Sequence, residues 1–150
     1  MHRVRKASSY AIAVACASVL AAGSLTGQPA STPSAGLDFE FFKAKVEPIF
    51  LAKRAGHTRC VVCHTINNAP LHLVPLTPGS ATWNEEQSRR NFQLIQRVVV
   101  PGYEGSKLLV HPLAEQAGGD PHHGGGQQFG SQNDPEWQTL KEFVLGAKLK

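Results

Sequence analysis

Residues 57–65 read HTRCVVCHT. Cys60 and Cys63 stand three apart, and His64 follows the second cysteine directly. Two thiols at that spacing can each form a thioether to one vinyl group on a porphyrin edge, and the residue behind them then sets an imidazole under the iron. The same residue types also hold zinc or form redox dithiols, so the rest of the chain must decide among the three.

Counting decides. Structural zinc takes four protein ligands, but the chain has only three cysteines, and the third, Cys16, lies in an N-terminal segment expected to be removed. A thioredoxin-type dithiol sits where a strand meets a helix in a βαβ unit, and no stretch of this sequence reads as a strand. The reading that remains is one covalent haem c, attached through Cys60 and Cys63, with His64 as the proximal iron ligand.

Export agrees with it. Arg3, Arg5 and Lys6 precede residues 10–25, YAIAVACASVLAAGSL, which carry no charge. A basic start, a short apolar run and small residues after it describe a secretory signal peptide over residues 1–23. The run falls short of the about 20 apolar residues that a membrane span needs, so membrane association is expected only if the leader stays uncleaved as an anchor. Removing it takes away three of fifteen basic residues and no acidic one, and the formal net charge falls from +4 to +1. No block of like charge is left to suggest nucleic acid as a partner. The expected location is periplasmic or otherwise outside the cytoplasm.

Residues 24–36, SLTGQPASTPSAG, read as a flexible linker, and the folded domain is expected over residues 37–150. Asp38 is a natural N-cap for a helix with Phe39, Phe42, Val46, Ile49 and Phe50 on one face. Pro48 predicts a kink or short break near Glu47. A loop follows the pentad over residues 65–82. A second helix is expected over 84–98, with Phe92, Ile95 and Val99 on its face, and a short helical turn over 106–110. Residues 118–132 should be irregular. In the last helix Asp134 is the cap, Pro135 takes the first position, and Trp137, Leu140 and Val144 share a face that Phe143 widens. The expected class is all-α, with three main helices, short helices and long loops.

FFKAKVEPIF at 41–50, the pentad, VVVPGYEGSKLL at 98–109, HHGGGQQF at 122–129 and DPEWQTLKEFVLGA at 134–147 together resemble class I cytochrome c domains. The nearer likeness is to the secreted planctomycete and acidobacterial type with an H-x-G-G segment. The resemblance implies a fold around one haem in which the first and last helices cross through aromatic residues, Phe41 or Phe42 against Trp137. It implies single-electron transfer rather than enzymatic turnover, by a soluble carrier or a subunit of a larger complex, with redox proteins or a membrane electron-transfer complex as partners. A proline carbonyl after the motif accepts the proximal imidazole N–H in that family, and Pro70 matches the role.

The second axial ligand is the open point. Class I domains usually offer a methionine sulfur, but the only methionine here is Met1, in the leader. The nitrogen candidates are His57, His72, His111, His122 and His123. His57 is tied to the proximal side of the pentad, and His72 comes eight residues after His64. By resemblance the ligand comes from the loop between the second and last helices, which holds the other three. The H-x-G-G pattern falls on His123, with Phe129 as its aromatic, and the glycines at 124–126 let the backbone lie against a porphyrin face. His111 and His122 remain alternatives. Two imidazoles would lower the potential relative to a His/Met pair and leave no vacant coordination position. The competing function is a haem enzyme or gas sensor of peroxidase type with an open distal site, for which Arg89, Arg90 and Arg97 are the candidate distal arginines.

Overall fold

The first helix begins where the Asp38 side chain accepts the backbone N–H of Phe41 at 2.8 Å. The structure, a computed structural model, describes residues 36–66 and 69–150. The expected leader at 1–23, and the linker at 24–36 except Gly36, lie outside the described residues.

Helix α1 (Phe39–Phe41) runs into a π-helical turn, Phe42–Val46, and then into α2 (Glu47–Leu51). Pro48 has no N–H for the carbonyl four residues back. The wider turn just before it absorbs the mismatch, the N–H of Glu47 reaching the Phe42 carbonyl five residues back. The break expected near Glu47 is therefore a π turn, and the chain stays helical through it.

The pentad is itself one helical turn, α3 (Cys60–His64). Helix α4 (Glu85–Ile95) starts at a capping box in which Asn84 and Gln87 exchange side-chain and backbone bonds. It ends at Ile95, short of the expected 98. Helix α5 (Lys107–Val110), a 3-10 turn (Glu115–Ala117) and α6 (Pro135–Val144) complete the order. Asp134 caps α6 by accepting the N–H groups of Glu136 and Trp137. Among the described residues no strand forms, and one isolated bridge pairs Leu113 with Phe129. The domain is all-α, and no described helix is long and apolar enough to cross a membrane.

Phe143 on α6 is the aromatic that crosses to the first helix. Its ring centroid lies 6.4 Å from Phe41 and 5.8 Å from Phe42, and Phe92 of α4 sits 5.5 Å from both Phe39 and Phe42. The expected partner was Trp137. It is buried, but its indole N–H donates to the Leu109 carbonyl at 3.0 Å and so ties α6 to α5 instead. Six residues separate Trp137 from Phe143, which puts them about 120° apart around the helix.

Two buried polar groups shape the side of the core toward α4. Glu47 accepts the Ser88 hydroxyl at 2.9 Å through one oxygen, while the other has no partner. Burial pushes its carboxyl up to about 7, against the opposing pull of the Ser88 hydrogen bond. Asn91 accepts the N–H of Val74 at 2.7 Å, and the Trp83 indole donates to the Val74 carbonyl at 2.7 Å. Together they pin the segment after the pentad to α4.

Candidate haem site

That pinned segment determines how His64 is held. The N–H of Leu73 returns to the His64 carbonyl at 2.6 Å, and His64 Nδ1 lies 2.8 Å from the Leu71 carbonyl. A ring that donates from Nδ1 keeps its lone pair on Nε2, the tautomer and orientation a metal ligand needs. The carbonyl expected in this role belonged to Pro70. With Leu73 and Val74 fixed just after the turn, the carbonyl that meets the ring is one residue further on, and Pro70 lines the neighbouring cavity.

His123 is held in the same way from the other side. Its Nδ1 meets the Gly126 carbonyl, and Gly126 has φ +78°, a left-handed turn that glycine adopts without strain. Burial holds this imidazole below its ordinary pKa, with the His111 and His64 rings adding to the effect. When Nδ1 donates its N–H to that carbonyl, the lone pair of the ring lies on Nε2.

The His64 and His123 rings lie near each other. Their centroids are 6.2 Å apart and their planes differ by 23°. An imidazole nitrogen sits about 2 Å from a bound metal and about 1 Å from its own ring centre, so two imidazoles on opposite sides of one metal have centres about 6 Å apart. Among the described residues no group of three or more His, Cys, Asp or Glu stands together as a metal site.

A large space lies beside the two rings. A cavity of about 890 Å³ is lined by Cys60, Cys63, His64 and His123 together with apolar groups that include Phe50, Leu71, Leu108, Phe129 and Leu140. Cofactor pockets run about 300–1,000 Å³. Both thiols are free. The lining also holds Arg59, Arg97 and Lys107 and no carboxylate, which fits a flat apolar ligand with acidic groups on its edge. Of the glycines at 124–126, Gly124 and Gly125 line the cavity, and Phe129 is buried against it, 2% exposed.

Of the other histidines, His111 and His122 line the same cavity, whereas His57 and His72 do not. The His111 ring lies 4.8 Å from that of His123, nearly edge-on, with Nδ1 3.2 Å from Asp120 Oδ2. Asp120 also accepts Lys107 Nζ at 2.7 Å and the N–H of His122 at 3.0 Å. Those contacts, Lys107 foremost, hold its carboxyl well below the usual range. Of the candidate distal arginines, only Arg97 reaches the cavity wall. Arg89 pairs with Glu85 at 2.7 Å and lies over the Phe39 ring.

Sequence reasoning missed Arg54. It pairs with Glu136 on α6, approaches Cys60 Sγ at 3.9 Å and lies 4.9 Å over the Phe129 ring. Burial pushes the Cys60 thiol up, and this guanidinium opposes the shift. A lone arginine in a loop carries no periodic or motif signal that could have singled it out. Comparison of the chain with protein-family models, curated proteins and solved structures finds no match.

Proposed function

We propose that this protein is a monohaem c-type cytochrome of class I fold that carries single electrons outside the cytoplasm, with histidine on both faces of the iron. The observation that carries the reading is that the near-parallel His64 and His123 rings, 6.2 Å apart, line one cavity together with Cys60 and Cys63. A haem bound there would supply a one-electron ferric/ferrous couple.

The chain's own residues supply the rest. Cys60 and Cys63 anchor the group by thioethers. His64 and His123 each present Nε2 while a backbone carbonyl, from Leu71 and Gly126 respectively, holds the far side of the ring. The apolar wall excludes water, and Arg59, Arg97 and Lys107 offer positive charge to propionates. Two fixed imidazoles leave no position for oxygen or peroxide, which favours a carrier over a peroxidase or sensor. The basic, apolar leader supports export, and the partner is a redox protein or a membrane electron-transfer complex.

The exported protein should gain the mass of one haem that resists acid–acetone extraction. Its ferric form should be low-spin without the signature of iron–methionine ligation, and its ferrous form should not bind carbon monoxide. A protein that binds zinc and has no Soret band would overturn the haem reading, and ready carbon monoxide binding would overturn the closed site.

A further inference from the structure

His111 lines the cavity yet is not required by the opposed pair. With Nδ1 facing the Asp120 carboxylate at 3.2 Å, its proton belongs on Nδ1 and its lone pair on Nε2. That is the state in which His64 and His123 are held. The support behind the ring differs, however. A carboxylate carries a full negative charge and makes an imidazole a stronger donor than a neutral carbonyl does.

The Asp120–His111 pair is also built into the scaffold. His111 closes α5, its N–H on the Lys107 carbonyl at 3.1 Å. The N–H of Asp120 bonds the Val110 carbonyl at 2.8 Å and that of Gly119 bonds the Ala114 carbonyl at 2.9 Å. The approach at Gly119 is so close that a Cβ there would stand 1.9 Å from the Leu113 carbonyl oxygen. His123 sits instead at the start of a run of three exposed glycines, its Nδ1 held by a carbonyl only three residues on.

We propose that His111 is a second distal iron ligand, one that takes the axial position from the cavity wall when His123 leaves it. The proposal rests on the haem reading. The exchange swaps the Nε2 of one imidazole for that of another, so no electron is gained or lost. It would keep the iron six-coordinate when His123 is withdrawn, and the carboxylate-backed imidazole would favour ferric iron more strongly than the one it replaces.

The test uses purified holoprotein. His123→Ala should remain low-spin in the ferric state, should not bind carbon monoxide when reduced, and should have a lower midpoint potential than the wild type. His123→Ala with His111→Ala should turn high-spin and bind carbon monoxide. Asp120→Asn added to His123→Ala should give a mixed-spin form, while Asp120→Asn alone should stay low-spin. A high-spin His123→Ala with normal haem content and helical circular dichroism overturns the proposal, and His123→Ser gives the same reading if the alanine variant fails to fold. A double variant that stays low-spin, or a His111→Ala variant that is high-spin by itself, also overturns it. A wild-type protein with no covalent haem brings down the haem reading, and this proposal with it.

Discussion

At the scale of single residues, the buried carboxyl of Glu47 makes the sharpest statement about stability. Its folded value of about 7 stands above its ordinary value of 4.5 because burial disfavours the charged form. An acid whose pKa rises on folding holds its proton more tightly in the folded state. Stability is therefore greatest below about 4.5 and falls as pH rises through 7. Each tenfold change in proton affinity is worth about 1.4 kcal/mol, so after allowance for residual solvent the charged form costs on the order of 2 kcal/mol. Glu47→Gln should recover that amount at pH 8 and little at pH 4.5, as read from urea midpoints at both values. Equal differences at the two pH values would show that the carboxyl is not desolvated. The legibility of other residues follows the range of the forces that place them. Cys60, Cys63 and His64 fall within one helical turn, so five letters suffice to bring them together. Which carbonyl meets His64 depends on Asn91 and Trp83, 27 and 19 residues away, through their bonds to Val74, and sequence alone placed it one residue early.

Helix starts were legible at the scale of elements because their physics is local. Asp38, Asn84 and Asp134 each accept the orphan N–H groups of the turn they precede. Crossings were less so. Periodicity put both Trp137 and Phe143 on the buried side of α6, but only the three-dimensional arrangement determines which of them meets the first helix. Polar Ser88 and Asn91, both fully buried, share the inward face of α4 with Ile95, and their hydrophilicity hid that part of the face. Phe143 is fully buried and contacts Phe41, Phe42 and Phe92. Phe143→Ala should therefore cost about 3–5 kcal/mol, measured by denaturant unfolding of the holoprotein. The ferric spin state should not change, because neither proposed axial ligand lies on α6. A loss under about 1 kcal/mol would mean that the terminal helices do not depend on this crossing.

At the scale of the whole molecule, the cavity of about 890 Å³ makes the fold and the proposed haem interdependent. A closed void of that size would cost on the order of 20 kcal/mol at about 24 cal/mol per Å³, against about 5–15 kcal/mol of stability for an entire domain. Water entering from the open side reduces the cost, but it leaves Phe50, Leu71, Leu108, Phe129 and Leu140 wetted. On the proposed reading, α3 and the loop carrying His123 would lose the group they enclose when haem is absent, while the first and last helices would keep their aromatic crossing. Cys60→Ala with Cys63→Ala, produced without haem attachment, should retain some helical circular dichroism. It should lose the cooperative thermal transition and bind a dye for exposed apolar surface, as a loosely ordered state does. The holoprotein should unfold in one transition. A haem-free double variant that melts as sharply as the holoprotein, and at the same temperature, would show that the core closes without the group. The cavity would then have to be read as a binding site for some other ligand.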